Sequence, residues 1–241
     1  MHPILFKWGP ITVYSYGFML AIAFLVGILI ARSEARRKRI NPDLTFDLAI
    51  LAAVGGIVGA RLFYVIGHWE LFLRNWKAIF AFQEGGLVFY GGLAGGAIAI
   101  LVYISKKKLS IAETADLIAP SLTIGYSIAR IGCFLNGCCY GRETKVFLSV
   151  NFPGVEGLRH PTQIYSSLYG LVIFGILWGL RKKLTRSGQL FSLYLLLYAL
   201  ARFIVEFFRD TRPFFAGLSI YQVLSLGLIS GVIVFNLSRR F

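Results

Sequence analysis

Three arginines lie inside apolar stretches of membrane length, where an isolated charge is costly. They are Arg61, Arg130 and Arg202. A charged side chain at the centre of a bilayer costs about 2.5–3.5 kcal/mol on insertion scales, so it usually faces a protein interior and has a partner. A single such arginine would be explained by snorkelling or by pairing within the helix bundle. Each of the three lies near the far end of its stretch, and the three stretches are predicted to cross the membrane in the same direction, so the arginines are expected at one depth. Three arginines at one depth favour a shared anion site, and an anionic lipid headgroup is the obvious occupant there.

A polar stripe accompanies Arg202 on the sixth apolar stretch. Tyr198, Arg202, Glu206 and Arg209 follow one another at intervals of four, four and three residues, which is one face of a helix. We expect such a stripe to line a cavity rather than to face lipid. Glu206 lies one turn beyond Arg202 and can hold its guanidinium by a bidentate contact. That contact can be a structural ion pair, part of the site, or both.

The fourth apolar stretch ends in a block, residues 129–141, that is rich in glycine and cysteine. Gly137 and Gly141 are predicted to break the helix, and the freed backbone must then line protein or water. The chain has three cysteines, all within this block: Cys133, Cys138 and Cys139. No histidine or acidic residue is spaced to complete a metal site with them. We therefore predict no metal and treat the thiols as small buried apolar residues.

The composition indicates an integral membrane protein. Of 241 residues, 57% are hydrophobic and 15% charged, with a mean hydropathy of +0.70. A soluble domain would be more polar, and the apolar runs have membrane length. We predict an all-α polytopic membrane protein, a single transmembrane domain over 1–241 with small extracytoplasmic loops at about 68–86 and 137–161. The seven predicted spans are 13–31, 45–67, 87–105, 113–136, 162–180, 189–208 and 218–237.

Basic residues set the predicted orientation. Fourteen of the 25 lysines and arginines fall in four short segments on one side of the predicted spans: 32–39, 106–108, 181–186 and 239–240. Short cytoplasmic loops carry such an excess, so the N-terminus is predicted outside and the C-terminus in the cytoplasm. The net charge of +14 does not indicate nucleic acid, because contact with anionic membrane lipids already accounts for basic clusters that flank spans.

Further polar groups lie at the predicted outer ends of the odd-numbered spans. Tyr16 lies near the start of the first span and Tyr90 near the start of the third. Tyrosines at such positions usually belong to the interfacial aromatic belt. The turn His160-Pro-Thr-Gln163 is less easily explained in this way, because it sets His160, Thr162 and Gln163 at the entrance of the fifth span.

Glycine pairs spaced four residues apart occur in two of the predicted spans. They are Gly55 and Gly59 in the second, and Gly91 with Gly95 and Gly92 with Gly96 in the third. Small residues at this spacing allow two helices to approach closely in a membrane. We predict tight helix packing at these positions rather than a catalytic role.

Taken together, these blocks resemble the bacterial prolipoprotein diacylglyceryl transferase family over nearly the whole chain. The two most specific blocks are Arg-Ile-Gly-Cys-Phe-Leu-Asn-Gly-Cys-Cys-Tyr-Gly at 130–141 and Arg-Phe-Ile-Val-Glu-Phe-Phe-Arg at 202–209. The other matching blocks lie at 9–17, 60–64, 85–93 and 159–163. The resemblance implies a cofactor-independent transferase in the bacterial cytoplasmic (inner) membrane, with its active site on the extracytoplasmic side.

The resemblance also implies a reaction. The family moves the diacylglyceryl group of phosphatidylglycerol to the lipobox cysteine thiol at the signal peptide of a prolipoprotein. A thioether forms and glycerol-1-phosphate leaves, which is the first step of lipoprotein maturation. Such a displacement needs cations at the leaving phosphate, and preorganised charges in a dry site act strongly. An electropositive neighbourhood would also help the incoming thiol to ionise.

The site residues predicted from the sequence patterns and from the resemblance together fall into two groups. The catalytic candidates are Arg130, Arg202, Tyr90 and Glu206, and the substrate-binding candidates are Tyr16, Arg61, Asn136, Gly141, His160, Gln163 and Tyr198. Well-studied members carry histidine where this chain has Tyr90. Tyrosine has an ordinary pKa of about 10 and is a poor base unless shifted. The sequence therefore does not identify the catalytic base. His160 is a candidate because of its side-chain chemistry.

Two other classes of function are weighed against the transferase. A lipid or anion transporter without covalent chemistry would also line a cavity with arginines. However, no matching polar layer is evident at the inner ends, and seven spans suggest no inverted repeat of the kind common in transporters. A structural or assembly protein held together by the glycine faces would leave three intramembrane arginines unexplained.

Overall fold

The computed structural model describes residues 1–9, 11–81 and 85–238, and the side chains of Ile11 and Arg74 are not described. Eight α-helices and two small hairpins follow one another along the described chain. The helices are α1 (Ser15–Arg37), α2 (Asp43–Gly67), α3 (Trp69–Arg74), α4 (Phe89–Lys106), α5 (Ile111–Asn136), α6 (Thr162–Leu180), α7 (Gln189–Glu206) and α8 (Ile220–Ser238). A short 3₁₀ helix, Trp76–Phe80, follows α3.

Seven of these helices are long and apolar enough to cross a membrane: α1, α2, α4, α5, α6, α7 and α8. Each corresponds to one predicted span, so the predicted number and order of spans are confirmed in the described part of the chain. Many of their apolar side chains have no cover from the protein. Leu29, Ile66 and Val234, for example, are 66%, 65% and 65% exposed, as lipid-facing positions require.

The first helix ends later than predicted. It continues from the predicted end at residue 31 through the basic cluster to Arg37. Arginine and lysine are good helix formers, so the helix continues beyond the end of the apolar run. Within this extension Glu34 is 1% exposed and pairs with Arg37 Nη2 at 2.8 Å.

Two antiparallel hairpins lie outside the candidate spans and were not predicted. In the first, β1 (Ile4–Trp8) pairs with β2 (Ile11–Tyr14). Its second strand includes residues 13 and 14, which the sequence had assigned to the first span. The second hairpin is short: β3 (Val150–Asn151) pairs with β4 (Leu158–Arg159), within the predicted loop 137–161.

The chain divides into two compact units. The first comprises Met1–Ala31 with Ala115–Phe241, and the second comprises Arg32–Thr114. The prediction of a single transmembrane domain over 1–241 stays a prediction.

In the second unit, α2 and α4 pack through their glycines. A Cβ built on Gly59 would lie 2.8 Å from Gly95 Cα and would collide with the Gly91 carbonyl oxygen. One built on Gly55 would lie 2.8 Å from the Gly95 carbonyl oxygen. The backbones are in direct contact, so the predicted role of these glycine pairs in helix packing is confirmed.

In the first unit, a small apolar core joins α5, α6 and α7. It consists of Ala119, Ile173, Leu177 and Leu190, each at most 4% exposed. The Asp116 carboxylate of α5 accepts hydrogen bonds from the backbone N–H groups of Gly188 and Phe191, each at 2.8 Å. These donors lie at the beginning of α7, where a helix has unpaired N–H groups and a favourable potential for an anion. This contact fixes one end of the helix that carries Arg202.

Candidate functional site

Arg130, on α5, is a half-buried cation that contacts aromatic groups. Its Cζ lies 4.8 Å from the centroid of the Tyr126 ring, one helical turn earlier. Among residues 1–9, 11–81 and 85–238, no carboxylate lies within ion-pair distance of Arg130. A cation–π contact contributes about 0.5–2 kcal/mol, which offsets desolvation of the guanidinium only in part. Arg130 therefore presents a positive charge that no carboxylate among the described residues neutralises.

Four tyrosines form a cluster beside Arg130, defined by Tyr126, Tyr169, Tyr194 and Tyr198. The Tyr126 and Tyr169 hydroxyls are hydrogen-bonded to each other. The Tyr198 ring lies 5.6 Å from that of Tyr126 and 5.9 Å from that of Tyr194. The structure thus brings Tyr198, a predicted site residue, next to Arg130 through Tyr126. The cluster adds hydroxyl groups to otherwise apolar faces of α5, α6 and α7.

Sequence reasoning missed three members of this tyrosine cluster. A signal was nevertheless present for two of them. Tyr126 precedes Arg130 by four residues and Tyr194 precedes Tyr198 by four, so each shares a helix face with a predicted site residue. Tyr169 offered no such signal, because its contacts with Tyr126 and Tyr198 join different helices.

Arg202, in contrast to Arg130, has an acidic partner. Its Nη1 is hydrogen-bonded to Glu206 Oε2 one turn later on α7. The other carboxylate oxygen, Oε1, accepts a hydrogen bond from Ser219 Oγ at 3.1 Å. Glu206 is 3% exposed. The predicted pairing of Arg202 with Glu206 is confirmed, although one guanidinium nitrogen makes the contact rather than the two of a bidentate pair.

A second arginine shares the same carboxylate. Arg209 Nε lies 3.8 Å from Glu206 Oε2, and the Arg202 guanidinium also packs 4.8 Å from the centroid of the Tyr221 ring. Arg209 Nε is buried and has no hydrogen-bond partner in the described part of the chain. Two guanidinium groups around one carboxylate leave a net positive charge at the end of α7. Of the polar stripe predicted from the helical spacing, Arg202, Glu206 and Arg209 thus form a connected ionic network.

Gly141 lies where three parts of the first unit meet. Its N–H donates to the His160 carbonyl at 2.8 Å. The next N–H, that of Arg142, donates to the Phe208 carbonyl just after α7 at 2.9 Å. A Cβ built on Gly141 would lie 2.7 Å from Thr162 Cγ2 and 2.9 Å from His160 Cβ, and would collide with the Phe208 carbonyl oxygen. The glycine is therefore required by close packing, not by its backbone angles.

The predicted helix break after α5 is confirmed. The helix ends at Asn136, and Gly137 follows with a φ of 77°, which glycine adopts without steric cost. Asn136 itself is exposed. Tyr16, at the start of α1, lies near this end of α5, since a Cβ built on Gly132 would be 3.5 Å from Tyr16 Cα.

His160 and Gln163 are both buried at the entrance to α6. His160 Nδ1 lies 3.2 Å from the Tyr165 hydroxyl, and its ring packs against Phe208 with 5.2 Å between centroids. Burial, assisted by the charge of Arg142, lowers the pKa of His160 below its ordinary value. The imidazole is therefore neutral at pH 7 and keeps one nitrogen as an acceptor.

Gln163 holds the block 137–141 against α6. Its Nε2 donates to the Cys138 carbonyl at 2.6 Å, and Thr162 Oγ1 donates to the Cys139 carbonyl at 2.8 Å. Both side chains are 0% exposed. The other amide atom, Gln163 Oε1, is buried and has no hydrogen-bond partner in the described part of the chain.

The three cysteines converge, which the sequence reasoning did not foresee. Their Sγ atoms all lie within 4.8 Å of one another. Only Cys133 is buried, while Cys138 is partly buried and Cys139 is exposed. The expectation of three buried apolar thiols was therefore wrong for Cys139. Hydrogen bonding with the Cys133 and Cys138 thiols lowers the pKa of Cys139, and the charges of Arg130 and Arg209 act in the same direction.

Arg61, in the second unit, is held by backbone carbonyls. Its guanidinium donates to the carbonyl oxygens of Ala78, Ile79, Gly85 and Gly86 at 2.6, 2.9, 2.6 and 3.2 Å. A guanidinium has five N–H donors, so these contacts occupy most of them. Arg61 thus fixes the chain on both sides of residues 82–84. The anion contact predicted for it stays a prediction.

Tyr90 also belongs to the second unit. It is the second residue of α4, 54% exposed, and its ring meets that of Phe89 edge-on at 5.7 Å. The Val88 N–H donates to the Ala60 carbonyl at 3.1 Å, which links the start of α4 to the turn of α2 that bears Arg61. The predicted convergence of Arg61 and Tyr90 with Arg130 and Arg202 stays a prediction.

Comparison with known proteins gives one consistent result. A sequence model of the family described as prolipoprotein diacylglyceryl transferase matches residues 3–237. A Clostridium tetani protein named phosphatidylglycerol–prolipoprotein diacylglyceryl transferase is 39% identical, over 99% of this chain and 98% of its own. A similarly named protein of Clostridium perfringens is 34% identical, over 95% of this chain and 92% of its own. One of Trichormus variabilis is also 34% identical, over 93% of this chain and 84% of its own.

We predict that Gly141→Ala lowers thermal stability in detergent by several degrees. Overpacking of this kind costs about 1–3 kcal/mol, and here part of the clash is with backbone. Gly175→Ala is the matched control, because a Cβ at this helical glycine would meet nothing within 4 Å and alanine favours the helix by about 0.5–1 kcal/mol. Equal unfolding temperatures for the Gly141→Ala variant and the parent protein would contradict the packing argument.

Proposed function

The chain belongs to the prolipoprotein diacylglyceryl transferase family, and from this premise we propose that it transfers the diacylglyceryl group of phosphatidylglycerol to the lipobox cysteine of prolipoproteins. The observation that carries the assignment to particular residues is the charge of Arg130. It lies within a candidate membrane span and has no acidic partner in the described part of the chain. A phosphodiester headgroup carries a negative charge and can serve as the partner of Arg130, since a guanidinium group recognises phosphate well.

The reaction exchanges one bond to a glycerol carbon for another. The cysteine sulfur forms a bond to the carbon that carries the phosphate, and the carbon–oxygen bond breaks. The electron pair leaves on the phosphate oxygen of glycerol-1-phosphate, and the thiol proton passes to a base. Negative charge therefore grows at the leaving phosphate, where Arg130 offsets it. Preorganised charges in a site without bulk water are effective in this role.

Arg202 acts beside Arg130 as a second cation for the phosphate, and Glu206 fixes its position. Glu206 is itself fixed by Ser219 and is shared with Arg209. Because one carboxylate is shared by two guanidinium groups, the network has a net positive charge. This charge is available to attract the phosphate. Glu206 is therefore a positioning residue in this proposal. The rigid network supplies orientation that a free arginine side chain would lose.

Two side chains are proposed as proton acceptors. Tyr90 occupies the position where other members carry histidine, and its side chain is half exposed. His160 is the stronger candidate chemically, because its lowered pKa keeps it neutral.

The remaining substrate contacts of the proposal involve Tyr16, Arg61, Asn136, Gly141, Gln163 and Tyr198. For Gly141, the close packing against Thr162, His160 and Phe208 supports a role in shaping the site.

We predict that Arg130→Ala reduces transfer by about 10²–10³-fold, the usual effect of removing one group that stabilises developing negative charge. The assay incubates purified protein with phosphatidylglycerol and a lipobox peptide, and detects the diacylglyceryl thioether by mass. Arg32→Ala is the matched control, since Arg32 is half exposed with only a 3.8 Å contact to Asp43. Full activity of the Arg130→Ala variant would remove its assigned role.

The same assay separates transfer from transport. A transferase releases glycerol phosphate in equal amount with the modified peptide, whereas a transporter leaves the lipid intact. An unmodified peptide, with an active relative run in parallel, would refute the proposed function as a whole.

Glu206→Gln is predicted to lower kcat more than it raises KM for phosphatidylglycerol, because a displaced Arg202 would lose contacts made at the leaving phosphate. Breaking a buried pair also costs about 3–5 kcal/mol of stability. Glu206→Asp should restore part of kcat, which a purely structural role would not require. A folded, monodisperse Glu206→Gln protein with the parent kcat would contradict the positioning role.

We further propose that the chain lies in the cytoplasmic membrane with its N-terminus outside and its C-terminus in the cytoplasm, as the distribution of basic residues favours. A phosphatase reporter that folds only outside the cytoplasm should be inactive when fused after residue 241. A fluorescent protein that matures in the cytoplasm should be bright at the same position. Phosphatase activity at that fusion point would reverse the proposed orientation and the assigned side of the active site.

A further inference from the structure

The three thiols at the end of α5 and just after it have the spacing of a metal site. Their Sγ atoms lie within 4.8 Å of one another, and the separation between Cys138 Sγ and Cys139 Sγ is 3.6 Å. Zinc–sulfur bonds of about 2.3 Å in tetrahedral geometry separate two sulfurs by roughly 3.8 Å. The observed separations, 4.8 Å at most, therefore lie within about 1 Å of this distance.

The backbone that carries these thiols is already fixed. The Cys138 N–H donates to the Cys133 carbonyl at 3.1 Å, and the Cys138 and Cys139 carbonyls accept the hydrogen bonds from α6 described above. Cys139 has a φ of 64°, a left-handed conformation that costs energy for a residue with a Cβ. The strained backbone directs the Cys139 side chain to the same region as the other two thiols. The helix break thus brings together sulfurs that are five and six residues apart.

The donor set is sulfur alone. No histidine or carboxylate joins the three thiols within the part of the chain that the structure describes. Thiolate ligands select soft or borderline d¹⁰ cations over magnesium, calcium or manganese. Three thiolates around a divalent ion would carry one net negative charge.

We propose that Cys133, Cys138 and Cys139 form a three-thiolate site for Zn²⁺ that leaves a fourth coordination position open. The open position follows from the exposure of Cys139, since an exposed ligand leaves one side of the ion accessible. Three protein ligands with an open position are typical of zinc sites that bind a further ligand, whereas structural sites are closed by four. Binding converts three thiols to thiolates and releases their protons to solvent.

Cadmium is the probe for this site, because its thiolate complexes absorb in the ultraviolet. The full chain is purified without a histidine tag, reduced under anaerobic conditions and titrated with Cd²⁺. We expect the thiolate-to-cadmium absorption to saturate at one ion per chain and to be reversed by an excess of a chelator. Each single change, Cys133→Ser, Cys138→Ser or Cys139→Ser, should weaken binding by at least about 100-fold, beyond the roughly 10–100-fold effect of losing an outer-shell partner.

The matched control is His68→Ala, which removes an exposed imidazole far along the chain from the three cysteines and should leave the titration unchanged. Absence of the absorption from the parent protein would overturn the proposal. So would equal binding by the triple serine variant. An anaerobically purified chain that has lost two hydrogens by intact mass, with one thiol left to react, would show a disulfide instead and would also overturn it.

A second measurement needs no variant and remains decisive if the serine variants do not fold. Zn²⁺ should protect all three thiols of the parent protein from a maleimide reagent, and a chelator should restore their reaction. Labelling at the same rate with and without Zn²⁺ would overturn the site. Neither measurement depends on transfer activity, so failure of the metal site and failure of the proposed function remain distinguishable.

Discussion

A guanidinium group placed within an apolar helix bundle must find an acceptor for its charge and its N–H donors, and the three arginines of this chain do so differently. Arg61 is surrounded by backbone carbonyls, and Arg202 is paired with a buried carboxylate. Arg130 has the Tyr126 ring and, in the described part of the chain, no acidic partner. The same residue type thus fixes a turn, builds an ionic network and presents a charge. The proposed chemistry depends on this difference.

The number and order of the candidate spans followed from sequence because they rest on local properties. An uninterrupted apolar run of about 20 residues has few alternatives to a helix in lipid. The pairing of Arg202 with Glu206 followed for the same reason, since both belong to one turn of α7. The glycine contacts between α2 and α4 were predicted from spacing alone. Each of these features is determined within a single helix, or by a motif with a known packing geometry.

Features that join distant parts of the chain did not follow from sequence. The contacts of Tyr169 with Tyr126 and Tyr198 depend on how α5, α6 and α7 pack. The convergence of the cysteines depends on the helix break at Gly137 and on hydrogen bonds from α6. The two hairpins are short and lie at the ends of apolar runs. For this reason the hydropathy pattern assigns residues 13 and 14 of the first hairpin to the first predicted span. The carbonyl contacts of Arg61 require a turn more than 15 residues away.

The block 137–141 connects features that the sequence had treated separately. The charges of Arg130 and Arg209 contribute to lowering the pKa of Cys139, within this block. Its last residue, Gly141, contacts the Phe208 carbonyl, two residues after Glu206. The hydrogen bond from the Arg142 N–H to the Phe208 carbonyl joins this block to the segment just after the carboxylate shared by Arg202 and Arg209. An ion held by the three thiols would restrain the block from one side while α6 restrains it from the other.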